Sequence, residues 1–149
     1  MVHLLYNLFG LALFGSILES IIGTKKFLIL FFIAGILADF ASLPFYNRVL
    51  GASGAIFGVI GMLAVLRPKL TVWVYSIPMP MVIALFLWIA VDIFGIFSPS
   101  NTANIAHLGG LAIGIFAGLY YLNQFKETKS EEKEVFIDKE KLKEWERGF

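Results

Sequence analysis

Charged side chains are almost absent from the first 125 residues of this 149-residue chain. Of its 23 Lys, Arg, Asp and Glu residues, 15 lie between Lys126 and Arg147. A chain that is 58% hydrophobic and collects its charges at one end is typical of a membrane protein, because a bilayer disfavours charge. We therefore predict an all-α, polytopic bundle of transmembrane helices over residues 1–125, followed by a charged tail over 126–149.

Composition also bears on partners and cofactors. The net charge of +1 gives no electrostatic footprint for nucleic acid, and the chain has no cysteine with which to form a disulfide. No cluster of His, Cys, Asp or Glu has metal-ligand spacing, and no glycine-rich strand-to-helix turn predicts a nucleotide site. We expect membrane lipid as a partner and no metal or cofactor, and the sequence leaves the oligomeric state undetermined.

Five apolar segments are long enough to cross a bilayer or to be buried within a bundle that does. They cover about residues 2–22, 27–43, 51–66, 72–97 and 103–123. Pro78 and Pro80 lie inside the fourth segment, and proline breaks a helix interior. We therefore expect this span to begin near Pro78, after an interfacial stretch that carries Trp73 and Tyr75.

Lysine and arginine in short loops favour the cytoplasmic side of a membrane. Two lysines separate the first and second spans, Arg67 and Lys69 separate the third and fourth, and five lysines precede residue 142 in the tail. This distribution predicts an integral, multi-pass protein of the cell membrane with a cytoplasmic tail. It also places Met1 outside, directly before an apolar run, so we expect a further helix upstream.

The tail has a second possible role. Val135, Phe136, Lys139, Leu142 and Trp145 have the spacing of an amphipathic helix on a membrane surface. A solvated tail with a frayed end explains the same composition, and the two interpretations remain open.

Four polar side chains share one depth within the predicted bundle. His3 and Asn7 lie in the first span, Ser53 in the third and His107 in the fifth. All three spans start at the outer face, and a helix rises about 1.5 Å per residue, so these side chains fall within about the first two turns. Polar groups inside a membrane are costly, and a shared depth indicates a shared site.

Taken singly, each residue has an ordinary structural explanation. Ser53 belongs to a run of small residues that let membrane helices pack closely, His107 could join two helices by a hydrogen bond, and His3 could lie at the interface. Together they fit acyl transfer, because imidazole near pH 7 removes the proton of a serine hydroxyl within hydrogen-bond reach. His3 and Asn7, four residues apart on one helix face, and the Ser53 N–H would supply oxyanion donors.

Contact between the third and fifth spans is required for such a pair to form. Ala106, Gly110, Gly114 and Gly118 recur every four residues and predict a groove on the fifth span. Gly54 and Gly58 provide a matching surface on the third span. We expect these glycines to bring the Ser53 hydroxyl and the His107 imidazole together.

The ordered motifs resemble the rhomboid family of intramembrane serine proteases. They are His3-Leu4-Leu5-Tyr6-Asn7, Gly51-Ala52-Ser53-Gly54 and Ala106-His107-Leu108-Gly109-Gly110. The resemblance covers about residues 1–123 and implies that Ser53 is the nucleophile, His107 the base in a dyad with no acidic third member, and His3 with Asn7 the oxyanion donors. It further implies that Phe57 packs on the imidazole. The family's first helix and its outer loop with a Trp-Arg motif have no counterpart within residues 1–149.

The resemblance also implies how a substrate enters. Lateral entry would occur beside the fourth span, with Ser98–Thr102 as part of a lid, and with the bulky residues Phe86, Trp88 and Phe94 either as gate elements or as ordinary lipid-facing side chains. Asp92 in the same span is expected to be paired, protonated or facing water, and it does not have the placement of a triad acid. Glu19 is expected to reach the interface.

The function predicted from these residues is hydrolysis of peptide bonds in or beside transmembrane segments of partner proteins. Two alternatives from other classes remain. An inactive rhomboid-like protein would bind transmembrane clients without cleaving them, although such relatives typically lack the serine or the histidine. A transporter or channel is disfavoured because the polar residues cluster at one depth and do not line a path across the membrane.

Overall fold

The computed structural model describes residues 2–45, 52–74, 76–98 and 103–147, and these are mostly helical. In chain order the elements are α1 (Val2–Gly10), a π-helical turn (Leu11–Gly15), α2 (Ser16–Ile22), α3 (Thr24–Ser42), α4 (Ser53–Leu66), β1 (Thr71–Val74), β2 (Ile77–Pro80), α5 (Met81–Ile96) and α6 (Asn104–Arg147). The chain divides into two compact units, Met1–Leu119 and Tyr120–Phe149. Tail side chains 135, 136, 139, 142 and 145 lie outside the described set, so the amphipathic interpretation stays a prediction.

The first apolar segment is one helical rod with a π-helical turn in its middle. Gly10 and Gly15, which flank the turn, both have right-handed helical backbone angles, so the rod continues from α1 into α2. The Ser16 hydroxyl donates to the Ala12 carbonyl at 2.6 Å, which satisfies an acceptor beside the widened turn. Gly23 then reverses the chain into α3 with a φ of +81°, a backbone conformation that favours glycine.

Helix α4 is the centre of the bundle. Its residues are apolar on every side, and ten of its 14 residues are buried. A helix of this kind needs neighbours all around it, because it has no polar face to turn outward. It packs against α3, α5 and the first helical rod, and its glycines place it against α6.

Glycine and alanine set the spacing of three helices. A Cβ on Gly54 would meet the Ala38 Cβ of α3 at 2.8 Å, and one on Gly58 would collide with Ala34 one turn further along. On the other face of α4, a Cβ on Gly110 or Gly114 of α6 would collide with the backbone carbonyl of Gly54 or Gly58 respectively. The predicted contact between these two helices is therefore present, backbone against backbone.

The fourth apolar segment differs from the prediction. Strands Thr71–Val74 and Ile77–Pro80 pair as an antiparallel hairpin, with Trp73 opposite Pro78, and the helix begins only at Met81. The Met81 N–H donates to the Leu70 carbonyl at 2.7 Å. Because hydrogen-bonded residues alternate along an antiparallel strand, every second residue before Met81 in β2 bonds to β1.

Pro78 and Pro80 fall between those bonded positions, so their missing N–H groups cost the ladder nothing. The side chains of Val72 and Val74 are buried, which gives the hairpin an apolar face. The hairpin is a local exception to the all-α prediction in a mostly helical structure, and the helix starts at Met81, slightly later than the predicted start near Pro78. Pro78 and Pro80 exclude a helix, but they are compatible with strand β2. Tyr75 lies outside the described residues.

Two stretches of the described chain are long and apolar enough to cross a bilayer, His3–Ile22 and Asn104–Phe125. Ser53–Leu66 and Met81–Ile96 are apolar but shorter, and the 14 residues of α4 extend only about 21 Å. Helix α3 begins with two lysines and carries Asp39 near its end. Large apolar side chains cover the outside of the bundle, among them Phe32, Phe40, Phe86, Phe94 and Phe116.

Candidate active site

One cavity of about 500 Å³ receives side chains from all the predicted catalytic positions. His3 and Asn7 line it from α1, Ser53 from the start of α4, and His107 from the first turn of α6. Its remaining wall is apolar and is formed by Leu13, Phe14, Ile60, Val74 and Trp88, among others. The structure thus brings together the four polar residues for which the sequence predicts a common depth.

Ser53 is the first residue of α4. The Ala52 carbonyl already accepts the Ile56 N–H at 3.0 Å, so the helix starts at the serine itself. N–H groups in the first turn of a helix have no acceptor within that helix, and they carry the positive end of its dipole. Ser53 lines the cavity from this first turn, so one residue could supply both a nucleophilic hydroxyl and an oxyanion-donating N–H.

The His107 imidazole is held flat against an aromatic ring. The rings of Phe57 and His107 are stacked with their centroids 4.1 Å apart and their planes 7° from parallel. Phe57 lies one turn below Ser53 on α4, so this contact connects the imidazole to the helix that carries the serine. The His107 side chain is buried, with 7% of the residue exposed.

Asp92 is paired with His107, which is one of the states expected for it, although the sequence interpretation did not place it at the candidate site. Its Oδ1 lies 2.9 Å from His107 Nδ1, and only 4% of the residue is exposed. The prediction that Asp92 lacks the placement of a triad acid is wrong in geometric terms. The signal for this proximity lies in the helix ends, because α5 ends at Ile96 and α6 begins at Asn104, so both residues lie about one turn from connected helix ends. The predicted common depth applied only to spans that start at the outer face, whereas the fourth span is predicted to end there.

The second ring nitrogen of His107, Nε2, differs from Nδ1 in its hydrogen bonding. His107 Nε2 is buried and makes no hydrogen bond with any described protein atom, and the same holds for Asp92 Oδ2. Ser53 Oγ is thus not hydrogen-bonded to the imidazole in this structure, although both side chains line the cavity. Catalytic hydrogen bonds are often long before substrate binds and shorten in the complex.

His3 and Asn7 are joined to one another. Asn7 Nδ2 donates to His3 Nδ1 at 3.2 Å across one turn of α1. Accepting at Nδ1 leaves the proton of a neutral imidazole on Nε2, and the asparagine amide keeps a second N–H. Two donors therefore remain available on this wall of the cavity. A separate point concerns metal ions: the described residues hold no group of three His, Cys, Asp or Glu side chains that could bind one.

Comparison with known proteins gives the family. The profile described as the rhomboid domain matches residues 1–124, which includes every helix that lines the cavity. The chain belongs to the rhomboid family. It is accordingly an integral membrane protein.

Several rhomboid relatives are similar over most of this chain. The rhomboid protease GluP of Bacillus subtilis is 35% identical over 118 residues, which cover 77% of this chain and 22% of the relative. RHOMBOID-like protein 1 of Arabidopsis thaliana is 33% identical over 124 residues, with coverages of 80% and 31%. The rhomboid protease GlpG of Haemophilus influenzae is 28% identical over 120 residues, with coverages of 78% and 60%. The aligned part therefore spans between about a fifth and three fifths of these rhomboid relatives.

The residues predicted to form a gate in this rhomboid chain take different positions. Trp88 lines the cavity and meets Phe14 of the first rod edge to face, with ring centroids 5.7 Å apart. Phe86 and Phe94 are 66% and 74% exposed on the outside of α5. Of the predicted lid, residues 99–102 lie outside the described residues.

Other polar residues of the rhomboid bundle lie away from the cavity lining. Asn104, at the start of α6, is buried with its side-chain amide against the backbone of Gly95 in α5. Glu19 is half-buried in α2, near the turn at Gly23.

Proposed function

We propose that this chain is an intramembrane serine protease that hydrolyses peptide bonds in or beside transmembrane segments of membrane proteins. The observation that carries the proposal is the single cavity lined by Ser53, His107, His3 and Asn7 from three separate helices. Protease names among the relatives, including GluP and GlpG, support it. A protein that only binds transmembrane clients has no need of a serine and a histidine on one cavity.

The chemistry follows the usual course of a serine acyl transfer. His107 takes the proton of Ser53 Oγ as the oxygen attacks the scissile carbonyl carbon, and a tetrahedral intermediate forms. The imidazolium then passes that proton to the nitrogen of the leaving amine as the C–N bond breaks. Water, deprotonated by the same imidazole, hydrolyses the acyl-enzyme and regenerates the serine hydroxyl.

The developing oxyanion requires donors that are in place before the reaction. The Ser53 N–H at the start of α4, together with His3 and Asn7 on α1, would supply them. The cavity is apolar below these groups, which strengthens each hydrogen bond because few competing dipoles are present. A substrate helix would have to unwind locally, since an intact helix keeps its carbonyls within its own hydrogen bonds.

Location and orientation form part of the same proposal. The lysines at positions 25 and 26, the pair Arg67 and Lys69, and the tail lysines favour the cytoplasmic side, so the cavity would open near the outer face of the cell membrane. The chain has no cysteine, so single cysteines report sidedness directly. In intact cells an impermeant maleimide should label Ser98→Cys and spare Ser130→Cys; the reverse pattern would contradict this orientation.

The decisive test is reaction with a fluorophosphonate probe in detergent. We expect the wild-type chain to be labelled and both Ser53→Ala and His107→Ala to lose labelling. Ser20→Ala is the matched control, because its hydroxyl is exposed and donates to the Ile17 carbonyl outside the cavity. Labelling that persists in Ser53→Ala, or a folded wild-type chain that does not react, would contradict the protease and favour client binding.

A further inference from the structure

The pair formed by Asp92 and His107 raises a question about charge. A carboxylate buried in a membrane-embedded bundle is costly unless it is paired, and Asp92 is 4% exposed. Its Oδ1 contacts His107 Nδ1 at 2.9 Å, while its Oδ2 has no hydrogen-bond partner among the described residues. Within the described part of the chain, the only hydrogen-bond partner of the Asp92 carboxyl group is therefore His107.

This contact couples the charge of Asp92 to the tautomer of His107. When Asp92 is ionised its oxygens only accept hydrogen bonds, so Nδ1 is then the donor in the pair. The lone pair of a neutral imidazole then lies on Nε2, the atom that makes no hydrogen bond with the described protein. A general base for Ser53 needs an imidazole in this tautomer.

Two contacts at right angles hold the ring. Phe57 stacks on its face with planes 7° apart, and Asp92 bonds to its edge. Stacking restrains tilting of the ring, and the hydrogen bond restrains rotation within the ring plane. The direction of Nε2 is then determined by α4 and α5 together, and both helices are close-packed in the bundle.

We propose that Asp92 is a positioning residue that holds His107 in the tautomer and orientation required to deprotonate Ser53. The inference rests on the proposed protease function and deepens it, since it gives the dyad implied by the resemblance an acidic third member. Asp92 does not touch the substrate in this scheme; it acts through the imidazole.

A purely structural role for Asp92 makes a different prediction. A hydrogen bond that merely ties α5 to α6 would survive in Asp92→Asn, because the amide has the same shape and can donate to Nδ1. That donation would move the imidazole proton to Nε2 and remove the base. Asp92→Asn therefore keeps the hydrogen bond between α5 and α6 but moves the imidazole proton to the other nitrogen. A structural role for Asp92 and a positioning role then predict different outcomes.

The experiment combines nitrogen NMR with probe labelling on the full chain in detergent. The protein contains only two histidines, so ¹⁵N-histidine gives two sets of ring signals, which His3→Gln assigns. At a pH where the imidazole is neutral, wild-type His107 should carry its proton on Nδ1, and Asp92→Asn should carry it on Nε2. The rate of fluorophosphonate labelling at Ser53 should fall in Asp92→Asn by about 10³- to 10⁴-fold, the effect of a wrong tautomer in triad proteases.

Each result separates this inference from the proposed function. Wild-type His107 protonated on Nε2, or Asp92→Asn labelled as fast as wild type, would overturn the positioning role and leave the protease proposal intact. A folded wild-type chain that is not labelled would overturn the protease proposal and the positioning role with it. Asp92→Ala, which removes the hydrogen bond altogether, should label slowly and also unfold at a lower temperature than Asp92→Asn.

Discussion

Gly110 of α6 lies directly against the backbone carbonyl of Gly54 in α4, with no space for a Cβ between them. Gly54 follows Ser53 in the chain, and Gly110 lies three residues after His107, so this contact controls the separation of the proposed nucleophile and base. Helix packing and the proposed catalysis thus depend on the same few atoms.

The first prediction concerns that contact. We expect Gly110→Ala to lower the free energy of unfolding by about 1–3 kcal/mol or more, because the methyl group must push two backbones apart. Gly109→Ala is the control, since a Cβ there would meet Ala38 Cα at an ordinary 3.5 Å and would raise helix propensity. Unfolding in detergent, followed by circular dichroism, measures both, and equal midpoints would contradict the role of Gly110.

The second prediction concerns the ring beneath the imidazole. Replacing Phe57 by alanine removes a stacked pair worth about 0.5–1.5 kcal/mol beyond its buried area and frees the ring of His107 to tilt. We expect the labelling rate at Ser53 to fall by at least about tenfold in Phe57→Ala and to stay near the wild-type value in Phe57→Tyr. Phe116→Ala, which changes a 72% exposed ring on α6, should have no effect. A Phe57→Ala rate equal to that of wild type would show that stacking is dispensable.

The third prediction concerns the oxyanion donors. Asn7→Ala removes one donor and also the hydrogen bond that orients His3, so its effect should include part of the effect of His3→Ala. We expect each substitution to lower kcat for a transmembrane substrate by about 10²-fold or more. The double variant should be less impaired than the product of the two single effects, because the residues act as a pair. Fully independent effects in this double-mutant cycle would contradict the coupling.

The fourth prediction concerns the contact that joins the first helical rod to α5. Trp88 meets Phe14 beside the cavity, and truncating it to alanine should ease separation of the two elements. We expect Trp88→Ala to cleave a transmembrane substrate in vesicles faster than wild type, with little change in its reaction with the small probe. Phe86→Ala is the control, because that ring is 66% exposed on the same helix. If both variants behave alike, the Phe14 contact does not restrict entry.

Local patterns in the sequence were sufficient for much of this description. Charge distribution, hydrophobic length and loop lysines depend only on the order of residues, and they predicted helices in all five apolar segments. The glycine spacing on the fifth span also predicted close contact between α4 and α6. The hairpin was missed because proline in an apolar run excludes a helix without indicating what replaces it.

The pairing of side chains between helices is where prediction from sequence stops. Helices in a membrane have apolar residues on lipid-facing and buried sides alike, so periodicity does not show which face of α5 turns inward. That rotation determines whether Asp92 faces lipid, water or another helix. The structure turns it toward His107.

The sequence by itself indicated a membrane protein and predicted that Ser53, His107, His3 and Asn7 share one site, because both follow from composition and spacing, and its motifs resemble the rhomboid family. Only the tertiary structure decided that Asp92 bonds to His107, that a hairpin precedes α5 and that Nε2 has no hydrogen-bond partner in the described part of the chain. Those features arise from how packed helices are rotated and joined, and the rotation is determined by contacts between residues distant in the chain.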